Sequence, residues 1–512
     1  MKNAVLREIP EQISGYRSIR PFSGAYDNLR SIHKTAVRLV SAVPGSSKLL
    51  PDIRAALLAC GLKSGATISF HHHLRNGDQV LNAVLAEIEA MGLNDIKVAA
   101  SSVFPVHAPL IEHFRRGVVT ALHTTYIAGP VGKAIACGSL AAPVVMCTHG
   151  GRARAIEAGD LHIDVAFVAA PEADCYGNIN GVGGRSAFGT LGYAMTDVAY
   201  ADRVVVITDH LVPYPACPID ISQDYVDFVV PVNCIGDPEG IVSGSTRALV
   251  DPIGLQVAKL AAQVVEASGL LVDGFSFQTG AGGISLAVAS ELKSAMKQNA
   301  VRGSFAAGGI TAEIVEMLEA GLFRALFDVQ CFDLIAVDSY RRNAAHQSMS
   351  ASMYANPHNR GAVVNKLDVM ILGATEIDRD FNVNVTTGTD GVIMGGAGGH
   401  SDTAAGAKLA LVTTRLTAGG YPKIVERVTT VTTPGETIDV LVTDGGVAVN
   451  PRRAELKERL LVAGLPIVEI EALKALSEAR AGKRDVSRTE GSIVAVVEYR
   501  DGTVIDVVRA IL

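Results

Sequence analysis

Short apolar runs that do not alternate, each followed by a longer stretch with helical spacing, constrain this chain more than any other feature. A strand wetted on one face alternates apolar and polar residues. A strand covered on both faces reads as a continuous apolar run, the pattern of parallel sheets packed between helices. Runs of this kind predict strands at 66–70, 96–99, 143–147, 165–169 and 204–208. Helical spacing lies between them, for example at 80–91 and 109–116. The expected class is therefore α/β, with open and largely parallel sheets.

A proline-rich and acidic stretch at 213–252 interrupts the rhythm and reads as a crossover between domains. The rhythm then restarts, with helices expected at 255–267 and 284–296 and strands at 274–278, 304–307, 326–331, 369–374 and 409–414. The expected division is 1–240 and 241–512. A hairpin at 493–508, turning on Arg500-Asp501-Gly502, is assigned to the second domain. The polar segment 343–365 reads as a loop. No short internal repeat stands out, although both halves share the α/β rhythm.

At 512 residues the chain is long enough for two or three substantial cores. Its 48% hydrophobic and 19% charged residues fit packed globular domains, and a net charge of -7 with no basic run excludes a nucleic-acid binder. The seven cysteines are scattered with no CxxC pair, as expected of reduced thiols. The first residues carry no apolar signal core, and no apolar run reaches the roughly 18 residues of a spanning helix. A cytoplasmic location with no membrane contact is the expectation.

Four glycine- or histidine-rich segments follow expected strands. In Gln278-Thr279-Gly280-Ala281-Gly282-Gly283, glycines at a strand-to-helix junction let amide N–H groups reach an anion. The spacing is GxGG rather than GxGxxG, so a dinucleotide site is a weaker reading, and a ligand-free turn is equally compatible. Gly395-Gly396-Ala397-Gly398-Gly399-His400-Ser401-Asp402 is costly in chain entropy and implies close approach to its backbone, unless it is a plain surface turn. His71-His72-His73-Leu74-Arg75-Asn76-Gly77-Asp78 lacks metal-ligand spacing. It suits either a carboxylate or a capped turn with partly exposed histidines. Asp174-Cys175-Tyr176-Gly177-Asn178-Ile179-Asn180, running on to Arg185, lies at a strand's carboxyl end, where open sheets bind ligands. Turn formation is the commoner role for its asparagines. Arg341-Arg342 offers paired guanidinium groups of the kind a buried polycarboxylate requires, although most such pairs are solvated.

Taken in order, these segments and Phe327-Asp328-Val329-Gln330-Cys331-Phe332-Asp333 resemble the citrate lyase α-subunit family of the CoA-transferase superfamily, end to end. The resemblance implies two tandem α/β CoA-transferase domains with the active site at their interface. It implies transfer of a thiol carrier from an acetyl thioester to citrate, giving citryl thioester and acetate. The carrier is an acyl carrier protein (γ subunit) bearing a phosphopantetheine-type group, for which acetyl-CoA can stand in, and a β subunit then cleaves the citryl thioester. No metal and no tightly bound cofactor are expected, and an even-numbered homo-oligomer is.

The expected roles are backbone stabilisation of the reacting centre by Asn76, Gly77, Gly280, Gly282 and Gly283; substrate binding by His72, Arg75, Asn178, Arg185 and Arg341; and carrier binding by Gly396, Gly398, Gly399, His400 and Asp402. Many relatives use a glutamate nucleophile. Here Gly308 or Gly309 falls near that place, while Glu313 and Glu316 read as ordinary helix residues. A substrate carboxylate attacking the thioester directly, through a mixed anhydride, is the chemistry this departure implies. The alternatives are a CoA-transferase or acyl-CoA hydrolase acting on another acid such as citramalate or acetate, a nicotinamide-dependent oxidoreductase, and a non-catalytic scaffold of a multi-enzyme complex.

Overall fold

The computed structural model describes residues 1–27, 35–36, 43–242, 251–280, 282–481 and 491–511. Ala281 and residues 243–250 of the expected crossover lie outside them. The first sheet takes β1 Thr67–Phe70, β2 Ile96–Ala100, β3 Val119–Thr124, β4 Val144–Met146, β5 Val165–Ala170, β6 Arg203–Thr208 and β7 Phe228–Pro231. The second takes β8 Ser276–Thr279, β9 Gly303–Ile310, β10 Phe323–Cys331, β11 His346–Ser348, β12 Val369–Gly373, β13 Leu409–Thr413, β14 Val440–Thr443 and β15 Gly446–Val449.

Strand order in the first sheet is β7-β6-β5-β1-β2-β3-β4, all parallel. In the second it is β14-β13-β12-β8-β9-β10-β11, again parallel. One order used twice marks a duplicated lobe. Both faces of the sheets are covered, which is why β5 is buried along its whole length. Covering helices present apolar stripes. Val80–Ala90 buries Val80, Leu81, Val84, Leu85 and Ile88, the spacing of one helical face, each contributing about 2 kcal/mol of transfer energy.

The duplication also appears as a sequence repeat that the expectation of no repeat missed. Glu172, Asp174, Asn178 and Asn180 recur, at the same spacing, as Glu376, Asp378, Asn382 and Asn384. Each set builds a small three-stranded flap above its sheet. Asn180 and Asn384 donate their amides to Glu172 and Glu376, at 2.8 and 3.0 Å. Asn178 and Asn382 donate to Asp174 and Asp378, at 2.8 and 3.3 Å.

Three boundaries differ from expectation. The terminal hairpin forms, as β16 Ile493–Glu498 and β17 Val504–Arg509, but it extends the first sheet, with β16 parallel to β4. Its residues Val494 to Val497 are buried, so it needs a neighbour on its inner edge, and the three-residue β4 provides one. Segment 343–365 is ordered rather than a loop: it holds β11, the helix Ala351–Ala355 and the turn Val363–Lys366, with Met349, Tyr354, Val363 and Val364 packed inside. Residues 213–252 are not only a crossover, because β7 completes the first sheet there.

Candidate active site

The carboxyl ends of the two sheets face each other across a cavity of about 290 Å³. In each sheet the chain reverses direction beside the first strand, between β5 and β1 and between β12 and β8. Open α/β sheets bind ligands at such reversals. The turn after β1 supplies His72 and Arg75, and the turn after β8 supplies Gln278, Thr279, Gly280 and Gly282. The end of β12 adds Gly373, and the glycine-rich segment 396–400 forms a further wall.

The histidine run is not a partly exposed turn. His71, His72 and His73 are 8%, 5% and 1% exposed, and burial pushes all three below the ordinary imidazole range, His71 to about 4. His71 Nε2 accepts the Ala169 amide at 3.0 Å, and His73 stacks on Phe188. Only His72 of the three reaches the cavity. The Ser101 hydroxyl accepts the His72 amide at 3.0 Å and lies 2.6 Å from Nδ1. Among the described residues Nδ1 is the one acceptor within reach of the Ser101 hydroxyl hydrogen, which assigns that hydrogen to Nδ1 and leaves Nε2–H as the donor on the other side of the ring.

Arg75 is the one Lys or Arg among the described lining residues. Burial lowers its guanidinium to about 10, so it remains a cation at neutral pH. It sits with φ 52°, a left-handed conformation unusual for a residue other than glycine, which turns the backbone so that the side chain enters the site. Its guanidinium lies against the Phe104 ring at 5.4 Å and the Phe332 ring at 4.9 Å.

Gly282 caps the 16-residue helix Gly283–Gln298, which has no side-chain cap and no acid in its first turn. Its first-turn amides, with no partner among the described residues, and its positive dipole end suit an anion. The Gly280 amide, by contrast, is already donated to Ile371 O at 2.8 Å. The other glycine wall interlocks with the first lobe. A Cβ at Gly396 would overlap Thr125 O there, and one at Gly399 would overlap the Tyr354 hydroxyl of its own lobe. Gly398, at φ 50°, accepts the His149 amide at 2.7 Å.

Several expected site residues lie elsewhere. The Gly77 amide is donated to Leu74 O, and a Cβ there would overlap Asp237 O, so this glycine serves a backbone crossing rather than the reacting centre. Asn76 is exposed and accepts the Val106 amide. Gly283 is not itself a lining residue, but as the first residue of that helix it contributes one of the first-turn amides. Asn178 is locked in its flap. Arg185 pairs with Asp209 in a separate surface depression, 64% exposed. Arg341 donates to Val182 O and so ties the second lobe to the first lobe's flap. His400 reaches the cavity, yet both ring nitrogens are committed, to Thr433 Oγ1 and Gly373 O. Asp402 lies behind the wall, accepting from the Thr148 hydroxyl and the Gly150 amide at 2.9 Å each.

The sequence reading missed Ser102, His149, Tyr193, Gln330 and Tyr354, all of which line the cavity. Thr148-His149-Gly150-Gly151 follows β4 as a strand-to-helix turn and carried a signal comparable to the others. No carboxylate occurs among the described lining residues. Gly309 lines the cavity at the place expected of a nucleophilic glutamate. A Cβ there would overlap the Phe332 ring, and one at Gly308 would overlap the Gln278 amide.

The family model "Citrate lyase, alpha subunit (CitF)" matches residues 46–511. The citrate lyase alpha chain of Haemophilus influenzae is 44% identical over 498 residues, covering 97% of this chain and 98% of that protein. A crystal structure described as the alfa subunit of citrate lyase in complex with citrate, from Streptococcus mutans, aligns at a TM-score of 0.96 with 46% identity over 100% of both chains. At 18% identity and a TM-score of 0.56, 4-hydroxybutyrate CoA-transferase from Porphyromonas gingivalis shares the fold, over 85% of this chain and 98% of that one.

Proposed function

The chain belongs to the citrate lyase α-subunit family, an enzyme of CoA-transferase type, and from that premise we propose that it transfers the thiol carrier from an acetyl thioester to citrate with no enzyme-bound ester. The crystallised relative's citrate supports the choice of acid. The single observation that carries the mechanism is the cavity wall. Where a glutamate would attack, Gly309 lies against Phe332, and no carboxylate occurs among the described lining residues.

The acid then supplies the nucleophile. A citrate carboxylate oxygen attacks the acetyl carbonyl carbon, the carbon–sulfur bond breaks, and the thiolate leaves a citryl–acetyl anhydride. The thiolate next attacks the citryl carbonyl, and acetate departs. Arg75 neutralises the polyanion and its aromatic flanks keep water from that charge. His72 Nε2–H and the first-turn amides of Gly283–Gln298 serve as donors for the developing oxyanions, each worth about 3 kcal/mol in the transition state. The glycine walls leave room for a thin thioester arm, that of acetyl-CoA or of a phosphopantetheine-bearing acyl carrier protein.

As a member of the citrate lyase α-subunit family, the chain belongs to a multi-subunit complex. In our reading the β subunit and the acyl carrier protein are its partners there, in the cytoplasm, and the chain self-associates. Mass spectrometry of the products from citrate and acetyl-CoA tests the reaction: citryl-CoA plus acetate is expected. Borohydride reduction during turnover tests the mechanism, and a reduced glutamate on this chain would refute it.

A further inference from the structure

His149 Nδ1 lies 3.1 Å from Thr125 Oγ1, and Thr125 Oγ1 lies 2.6 Å from Ser101 O. The second contact joins two oxygens and needs a hydrogen, and the Thr125 hydroxyl holds the one available. Thr125 therefore donates to Ser101 and can only accept from His149. Nδ1 carries the ring proton, and Nε2 is a bare lone pair. Burial holds the ring neutral, with a pKa pushed down to about 3, and Arg152 adds to the shift.

His149 lines the cavity, and its Nε2 would lie 3.4 Å from a Cβ on Gly398, so the glycine there keeps that edge of the ring open. No partner for Nε2 occurs among the described residues. The facing His72 ring, 5.8 Å away and nearly parallel, has the opposite polarity, with Nδ1 accepting and Nε2–H free to donate.

A cavity that takes a polyanion thus carries a bare acceptor, His149 Nε2. A carboxylate cannot satisfy it, and an acceptor left facing a carboxylate is repulsive as well as unsatisfied. A hydroxyl group does satisfy it. We propose that His149 Nε2 accepts the hydroxyl hydrogen of the acid substrate while His72 Nε2–H holds a neighbouring carboxylate, so that the site selects hydroxy acids over polycarboxylates that lack the hydroxyl. The inference rests on the reading of the chain as a citrate-accepting transferase and names the group by which citrate is recognised.

Calorimetric titration of the full chain with citrate and with propane-1,2,3-tricarboxylate, which lacks only the hydroxyl, tests it. The wild-type protein is expected to prefer citrate by about 100-fold, since a site built to pair a hydroxyl rejects the analogue strongly. In His149→Phe the preference is expected to fall below about 5-fold. Thr125→Val removes the group that fixes the tautomer, lets Nε2 carry the proton, and is expected to reduce the preference by weakening citrate alone. Wild-type affinities within about 5-fold of each other, or equal weakening of both acids in the variants, would overturn the hydroxyl reading and leave the citrate reading standing. Failure of wild-type protein to bind either acid would overturn both.

Discussion

At the scale of single residues, the site depends on one buried cation among neutral imidazoles. Arg75→Ala removes the charge and the planar donor fork, and Arg75→Lys restores only the charge. The expected result is a KM for citrate raised about 100-fold in the first and about 10-fold in the second, read by steady-state kinetics. The histidines impose a pH dependence on stability. His71 and His400 fall to about 4 by burial, and His123 and His149 to about 3, against 6.5 in an unfolded chain. Above pH 6.5 both states are neutral and the groups contribute nothing. As pH falls below 6.5 the unfolded chain binds protons that the folded one refuses, so stability is lost, by up to about 1.4 kcal/mol per histidine per pH unit. Asp378 and Asp402, both raised to about 6 by burial, act with the opposite sign but are fewer than the histidines. A Tm lower by about 5 °C or more at pH 5 than at pH 7 is expected by calorimetry. The sequence showed three adjacent histidines, a strand before them and Arg75 after them. It did not show their burial, because Ala169, Ser101 and Phe188, which surround them, come from distant positions in the chain.

Among the elements, the flaps separate structural from functional asparagines. Asn178 Oδ1 accepts the Gln223 amide while Asn382 Oδ1 accepts the Gly435 amide, the same bond in each lobe. Asn178→Ala is therefore expected to cost about 2 kcal/mol, read as a lower denaturation midpoint, with KM for citrate within about 2-fold of wild type. A substrate role would move KM instead. Strands buried on both faces, such as β5 and β12, were legible because their runs are continuously apolar. The terminal hairpin was legible from its turn, but its docking on β4 was not, since a hairpin's own residues do not name the edge it pairs with. The repeat of Glu, Asp, Asn and Asn was present in the sequence, and only the paired flaps give it meaning.

For the whole molecule, the closing of one lobe on the other is the property that makes a site. Asp402 in the second lobe accepts from Thr148 and Gly150 in the first, and Arg500 of the hairpin turn lies 3.4 Å from it while donating to Ala355 O at 3.0 Å. Breaking such a buried pair costs about 3–5 kcal/mol. Arg500→Ala is expected to lower Tm by several degrees and to reduce kcat/KM more than a surface change such as Arg185→Ala, which lies outside the cavity. The central claim is that the acid substrate, and not the protein, attacks the thioester. It is tested most directly by a single turnover with the chain in excess over acetyl-CoA and with citrate labelled with ¹⁸O in its carboxylates. Direct attack carries one labelled oxygen from citrate into the acetate released in that first turnover. Attack by a protein carboxylate would release unlabelled acetate and leave the label on the chain, and that result would contradict the account.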